Sequence, residues 1–134
     1  MLPAIHAAIL PLILLNSPSA PTYEVAYRQS MASGTPLLVL VGADWCPACR
    51  NVKTSVIPEL RRRGVLARVK FAEVDTDQQQ PLAESLSSYD VIPQLVLYQK
   101  THDGRWRRST LVGGQTADSV ANFLDEKLEQ KTSP

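Results

Sequence analysis

The two cysteines are the residues of this chain best suited to chemistry. They are Cys46 and Cys49, separated by Pro47 and Ala48, and the 134-residue sequence contains no others. A disulfide stabilises a fold mainly by closing a long loop, and a bridge across so short a gap closes almost none. A purely structural disulfide is therefore a poor explanation for this pair, which leaves redox chemistry or metal binding.

Metal binding is poorly supported by the other residues of the chain. The sequence has two histidines, His6 in an apolar N-terminal run and His102 in a predicted turn. Neither stands at a spacing from the cysteines that is typical of a zinc site. We therefore predict no bound metal and no cofactor other than the redox-active disulfide itself, with a copper-handling dithiol as an alternative.

The segments on either side of the cysteines predict a strand and a helix. Residues Pro36–Gly42 form a continuous apolar run with β-branched side chains, which indicates a strand buried on both faces. Residues Arg50–Arg63 have the apolar spacing of a helix, and we expect Pro58 to kink or break it. The motif thus lies between the end of a strand and the start of a helix.

That position would activate one of the two thiols. At the first turn of a helix, Cys46 is close to unpaired backbone N–H groups and the positive end of the helix dipole, which stabilise a thiolate. Such sites lower a thiol pKa from about 8.5 to roughly 3.5–7.5. The spacing puts Cys49 one helical turn further on, near enough to close a disulfide. Pro47 occupies a first-turn position where a missing N–H has no cost.

The remaining segments predict an α/β fold. The other predicted elements are helices at Tyr23–Ser33, Pro81–Ser88 and from Thr116 or Asp118 onward, and strands at Val69–Val74, Gln94–Lys100 and Arg105–Val112. Asp77 is a predicted N-cap of the second of these helices, and Asp103-Gly104 predicts a hairpin turn. A β-α-β unit followed by a hairpin implies a central mixed sheet with helices on both faces.

In this order of elements the chain resembles the thioredoxin family across residues 22–130. The run Trp45–Cys49 stands where that family has Trp-Cys-x-x-Cys, between the central strand and the long helix. Asp75 closes the second strand, Ile92-Pro93 stands just before the third, and Gly113 follows the hairpin. Together these features imply a thioredoxin-like fold.

The resemblance also implies an enzyme, a thiol–disulfide oxidoreductase that acts on protein thiols and disulfides. Cys46 would be the attacking nucleophile and Cys49 the resolving thiol. Pro93 would be a cis-proline packed against the disulfide, and Trp45 an apolar wall beside it. The residues expected to shape the substrate site are Trp45, Pro47, Ile92, Pro93 and Gly113. With no second cysteine pair in the chain, an external redox partner must recycle the dithiol.

Two positions depart from the family pattern. Where the family often has a buried acid and a buried lysine, this chain has Leu40 and Phe71. Glu73 is the nearest other acid, and a strand glutamate usually faces solvent, so we expect slower or differently gated proton transfer. The Cys-Pro-x-Cys order resembles that of glutaredoxins and periplasmic disulfide-forming oxidases. Reduction potentials in the family span about −270 to −120 mV, and this order favours a value toward the oxidising end.

The N-terminus suggests export. Residues Ala4–Leu15 are almost entirely apolar, which suits a signal peptide and is short for a membrane span of about 20 residues. Small residues allow cleavage after Ser19 or Ala20, although no Lys or Arg precedes the apolar run. We expect a leader over 1–20, one domain over 22–130 and a tail over 131–134, in a periplasmic or secreted protein. A cytoplasmic protein, or a membrane-anchored one with an uncleaved leader, is the alternative.

The net charge of the chain limits the classes of binding partner to expect. The formal net charge is +1, which gives no general attraction to nucleic acid or to a membrane surface. We therefore expect no nucleic-acid partner, and a membrane contact only if the leader is uncleaved. The protein partners are what the resemblance implies, and we expect a monomer. The main alternative to an enzyme is a non-catalytic module of the same fold that binds extended peptides.

Overall fold

The computed structural model describes residues 21–87 and 90–130. The predicted leader and tail lie outside the described residues. The helices are α1 (Tyr23–Ser33), α2 (Pro47–Asn51), α3 (Ile57–Arg62), α4 (Gln80–Leu86) and α5 (Ala117–Glu129). The strands are β1 (Leu37–Gly42), β2 (Lys70–Asp75), β3 (Gln94–Lys100) and β4 (Trp106–Val112). None of the helices in these ranges has the length and apolar character needed to cross a bilayer.

The sheet is built around β1. Its strand order is β2-β1-β3-β4, with β1 parallel to β2 and antiparallel to β3, and β3 antiparallel to β4. All of β1 is buried, as the continuous apolar run predicted. A strand covered on both faces has no solvent side, so every position in it can be apolar.

Side chains alternate along β1 between two hydrophobic cores. Leu38 and Leu40 pack with α3 and α5 on one face, and Leu37, Val39 and Val41 pack with α1 and α4 on the other. The mixed sheet with helices on both faces, and with it the predicted α/β class, is confirmed.

The helix after the motif begins at Pro47, three residues before the predicted range of Arg50–Arg63 but at the first-turn position expected for this proline, and it is not regular. A π-helical segment at Val52–Val56 joins α2 to α3. Within it the Ile57 N–H donates to the carbonyl of Val52, five residues back. Pro58 follows directly and has no N–H of its own. The helix continues through it, so the break that the sequence allowed is absent, and the irregularity is the π-helical segment before the proline.

The spacing of Val25, Ala26, Met31 and Ala32 in the sequence predicts one apolar stripe on α1, and this prediction is partly wrong. Ala26 is buried as expected, but Val25 and Met31 are 40% and 41% exposed. The other buried residue of the helix is Ser30, whose hydroxyl donates to the Thr35 carbonyl at 2.5 Å. A buried hydroxyl with a backbone partner is tolerated in a core, and the pattern of apolar residues alone does not reveal it.

A capping box begins α5 at the predicted Thr116. The Thr116 hydroxyl oxygen accepts the Ser119 N–H at 3.1 Å, and the Ser119 hydroxyl oxygen accepts the Thr116 N–H at 3.1 Å. These two bonds satisfy backbone donors that a helix otherwise leaves unpaired.

Thr116→Ala should lower the free energy of unfolding by about 1 kcal/mol, since a lost Thr cap typically costs that much. Urea unfolding followed by circular dichroism measures it. Asn122→Ala, on the exposed side of the same helix, is the control and should be neutral or slightly stabilising, because alanine favours helix. Equal losses in both variants would contradict the capping role.

Candidate active site

Cys46 and Cys49 form a disulfide at the junction of β1 and α2. Their Cα atoms lie 5.2 Å apart. Cys46 is the N-cap residue of α2, Pro47 is the first residue of the helix, and Cys49 lies in its first turn. The start of the helix therefore brings the two sulfurs together, as the spacing predicted.

The helix start also gives Cys46 a hydrogen-bond donor. The backbone N–H of Cys49 donates to Cys46 Sγ over 3.2 Å. A donor at a helix N-terminus stabilises negative charge on the sulfur. Exposure does not separate the two thiols, since Cys46 is 6% exposed and Cys49 is 4% exposed. The cap position is what distinguishes Cys46.

Gly42, the last residue of β1, is a site residue that the sequence analysis missed. A Cβ atom there would lie 3.1 Å from both Cβ and Sγ of Cys49. A glycine lets the resolving cysteine lie this close to the strand, whereas a Cβ would have to displace it by a few tenths of an ångström. A glycine that ends an otherwise apolar strand just before the motif was the available signal.

The loop before β3 closes over the disulfide. The Ile92–Pro93 peptide bond is cis, as the resemblance implied, and Pro93 is buried. Ile92 packs in one cluster with the two cysteines. Gly113, which has a φ of 89°, donates its N–H to the Pro93 carbonyl at 2.8 Å. Residues far apart in sequence thus meet at one site.

Gln94, the first residue of β3, is a second site residue that the sequence did not reveal, and its side chain anchors the loop before β3. Its side chain is fully buried, and its amide Nε2 donates to the Val91 carbonyl at 2.8 Å. A buried amide bonded to the backbone fixes the course of the chain through Ile92 and Pro93. The apolar pattern of β3 gave no reason to single it out.

Trp45 is an exposed side chain held in place by a hydrogen bond. It is 66% exposed, and its Nε1 donates to Asp77 Oδ2 at 2.8 Å. The predicted capping role of Asp77 is wrong, because α4 begins after Gln79 without a side-chain cap.

Asp75, the last residue of β2, shapes the turn that follows this strand. Its Oδ1 accepts the N–H groups of Asp77 and Gln78 at 2.8 and 3.0 Å.

Leu40 and Phe71 both lie in the apolar core, so neither supplies a charged group near the cysteines. Glu73, paired in register with Leu40, forms an ion pair with Lys53 at 3.3 Å. Its side chain is only 27% exposed, so the expectation of a solvent-facing glutamate is partly wrong. Cys49, Lys53 and Glu73 line one cavity of about 50 Å³.

Metal ligands do not cluster in the part of the chain that the structure describes. Within 21–87 and 90–130, no group of three or more His, Cys, Asp and Glu side chains is placed to hold an ion. The arrangement at the helix start instead provides two thiols that can alternate between a disulfide and a dithiol.

Comparison of the sequence with known proteins gives a consistent result. The family described as Thioredoxin matches residues 19–126. The chain is similar to Thioredoxin 1 of Synechococcus elongatus, with 32% identity over 115 residues, which span 84% of this chain and 99% of that protein.

Solved structures show the same fold. A thioredoxin from Thermus thermophilus superposes with a TM-score of 0.68 at 24% identity, covering 83% of this chain and 87% of that one. Trxlp from Edwardsiella tarda superposes with a TM-score of 0.58 at 29% identity, covering 78% and 95% of the two chains.

Gly42→Ala should destabilise the oxidised protein by about 1–3 kcal/mol, the usual cost of an added methyl group in a packed site. Urea unfolding of the oxidised form measures it. Gly114→Ala is the matched control, because its Cβ would lie at an ordinary 3.7 Å from Ala48 Cβ. A harmless Gly42→Ala would contradict the close approach of Cys49 to β1.

Asp77→Ala should release the Trp45 side chain while lowering stability by less than about 1 kcal/mol, because the lost hydrogen bond is exposed. In a Trp106→Phe background Trp45 is the sole tryptophan, and its fluorescence anisotropy should fall. Asp125→Ala, which removes a remote ion pair with Arg68, should leave the anisotropy unchanged. Unchanged anisotropy in Asp77→Ala would refute the tether.

Proposed function

This chain belongs to the thioredoxin family and is a thiol–disulfide oxidoreductase, and on that basis we propose that it exchanges disulfides with protein substrates through Cys46 and Cys49. The observation that carries the proposal is the N-cap position of Cys46, whose sulfur accepts the Cys49 N–H at 3.2 Å. The thiolate is the nucleophile of disulfide exchange, and this donor favours the thiolate.

The exchange has two steps. The Cys46 thiolate attacks a substrate disulfide, which forms a mixed disulfide and releases one substrate cysteine as a thiolate. Cys49, once deprotonated, then attacks Cys46 Sγ, forms the Cys46–Cys49 disulfide and releases the second substrate thiolate. The substrate gains two electrons and the protein dithiol loses two. Oxidation of a substrate dithiol is the reverse sequence.

The surroundings of the disulfide support docking of an extended polypeptide. Trp45 and Val91 are exposed large apolar side chains on loops that flank the site, 66% and 52% exposed. Ile92, the neighbour of Val91 in the chain, packs against the two cysteines. Exposed apolar surface beside a reactive group is a common feature of protein-binding sites.

The redox partner must be a separate molecule, because the chain contains no cysteines other than Cys46 and Cys49. We expect a dithiol or disulfide protein to recycle the pair. The Pro-Ala dipeptide between the cysteines favours a potential on the oxidising side of the family.

We further propose that the protein works outside the cytoplasm, in the periplasm or after secretion. The apolar run Ala4–Leu15 followed by small residues supports export. Expression of the full chain in a bacterium, followed by fractionation and N-terminal sequencing, tests this. A mature N-terminus near residue 20 in the periplasmic fraction supports export, and an intact chain in the cytoplasm contradicts it.

The exposure of Trp45 beside the loop would also suit a non-catalytic peptide-binding module, the alternative that the family membership argues against. It differs from the enzyme in one respect: peptide binding would not depend on the sulfurs. Replacing both cysteines with serine would leave its affinity unchanged, and the wild-type protein would not turn over disulfides.

The wild-type protein should accelerate reduction of insulin by dithiothreitol, and Cys46→Ser should fall to the rate without protein, because the nucleophile is gone. Cys49→Ser should accumulate a mixed disulfide between Cys46 and the substrate, visible on a non-reducing gel. Ser55→Ala, an exposed change on the same helix, should keep full activity. Equal activity of Cys46→Ser and wild type would rule out the proposal.

A further inference from the structure

The second step of exchange needs a proton acceptor, and the proposed function leaves that acceptor open. Cys49 is 4% exposed, and burial disfavours the thiolate form in which it must attack. Leu40 and Phe71, packed in the apolar core, cannot accept a proton. The ionisable side chains that line the cavity beside Cys49 are therefore the groups to consider as the acceptor.

The cavity beside Cys49 is also lined by the ion pair between Lys53 and Glu73. It has a volume of about 50 Å³, enough for a few water molecules, and Lys53 and Glu73 line it together with Cys49. A second, larger space of about 680 Å³, between the start of α1 and the π segment, is also lined by these two residues. We call the first space the inner cavity and the second the outer groove. Lys53 and Glu73 line both spaces, so the pair lies where the inner cavity and the outer groove adjoin.

We propose that Glu73 is the proton acceptor for Cys49 and that Lys53 positions its carboxylate where the two spaces adjoin; the inference rests on the proposed function. The Cys49 thiol gives its proton through water in the inner cavity to the Glu73 carboxylate. The resulting thiolate attacks Cys46 Sγ, the bond from Cys46 to the substrate breaks, and the substrate thiolate leaves. Glu73 then passes the proton to solvent in the outer groove. A carboxylate that faces both spaces can serve both transfers.

The other charged groups facing the two spaces are less well placed. Those around the inner cavity are Asp44, Arg50 and Asp75, and those around the outer groove are Glu24, Arg61 and the phenol of Tyr23. Arg50 donates to the Asp44 carbonyl at 2.9 Å, and the Asp75 carboxylate holds the turn at Asp77. None of these six faces both the cavity and the groove.

The reaction of the reduced protein with excess dithiobis(nitrobenzoate) separates the two steps. Attack by Cys46 releases the first thionitrobenzoate, and attack by Cys49 on the resulting mixed disulfide releases the second. Glu73→Gln should leave the first phase unchanged and slow the second at neutral pH by about 100-fold, the low end of what general base catalysis contributes. The deficit should shrink as pH rises, because hydroxide then takes the proton.

If Glu73 acted only through its negative charge, Glu73→Gln would change the rate of the second phase in the opposite direction. Removing a negative charge near Cys49 would favour its thiolate and speed the second phase at neutral pH. Lys53→Gln keeps the carboxylate, so it should slow the second phase less than Glu73→Gln. Glu59→Gln, which removes one partner of the exposed Glu59–Arg62 ion pair, is the control and should match wild type in both phases.

The outcomes are distinct. An unchanged or faster second phase in Glu73→Gln, or equal losses in Glu73→Gln and Lys53→Gln, overturns the inference while leaving the proposed function intact. A wild-type protein with no first phase overturns the proposed function instead. Urea unfolding of each variant identifies any loss that comes from misfolding.

Discussion

The close contact between the end of β1 and the start of α2 is the constraint on which the site depends. Cys49 lies so near Gly42 that a single added carbon would be 3.1 Å from its sulfur. β1 can fix this contact because it is the fully buried strand between β2 and β3. With the helix start held there, Cys46 becomes the cap residue and receives the Cys49 N–H.

Much of this arrangement could be predicted from the sequence, because it follows from local patterns. The apolar run of β1, the spacing of the cysteines and the turn residues each depend on neighbouring positions, and the structure confirms them. Asp77 and Glu73 could not be placed in this way. The Trp45 contact of Asp77 and the Lys53 contact of Glu73 join segments that only the folded sheet brings together. Buried polar residues such as Gln94 could not be predicted either, because the apolar pattern of β3 does not show that its first residue is buried.

The departures from the family pattern have a structural counterpart. Leu40 and Phe71 both pack in the apolar core, and Leu40 also lines the cavity that reaches Cys49. An ion pair between the π segment and β2 lies instead at the boundary of the cavity that reaches Cys49. The π segment contains Lys53 and lies just before Pro58, so Lys53 lies in the irregular part of the helix next to this proline. The chain thus retains the dithiol while changing its surroundings.

The central claim is that Cys46 and Cys49 form a redox pair and not a structural disulfide, and the reduction potential of the pair tests it most directly. Equilibration with glutathione buffers, followed by thiol alkylation and mass spectrometry, gives the value. We predict a potential between about −270 and −120 mV, the range of thiol–disulfide oxidoreductases. A value below about −300 mV, where structural disulfides of secreted proteins lie, would contradict the account.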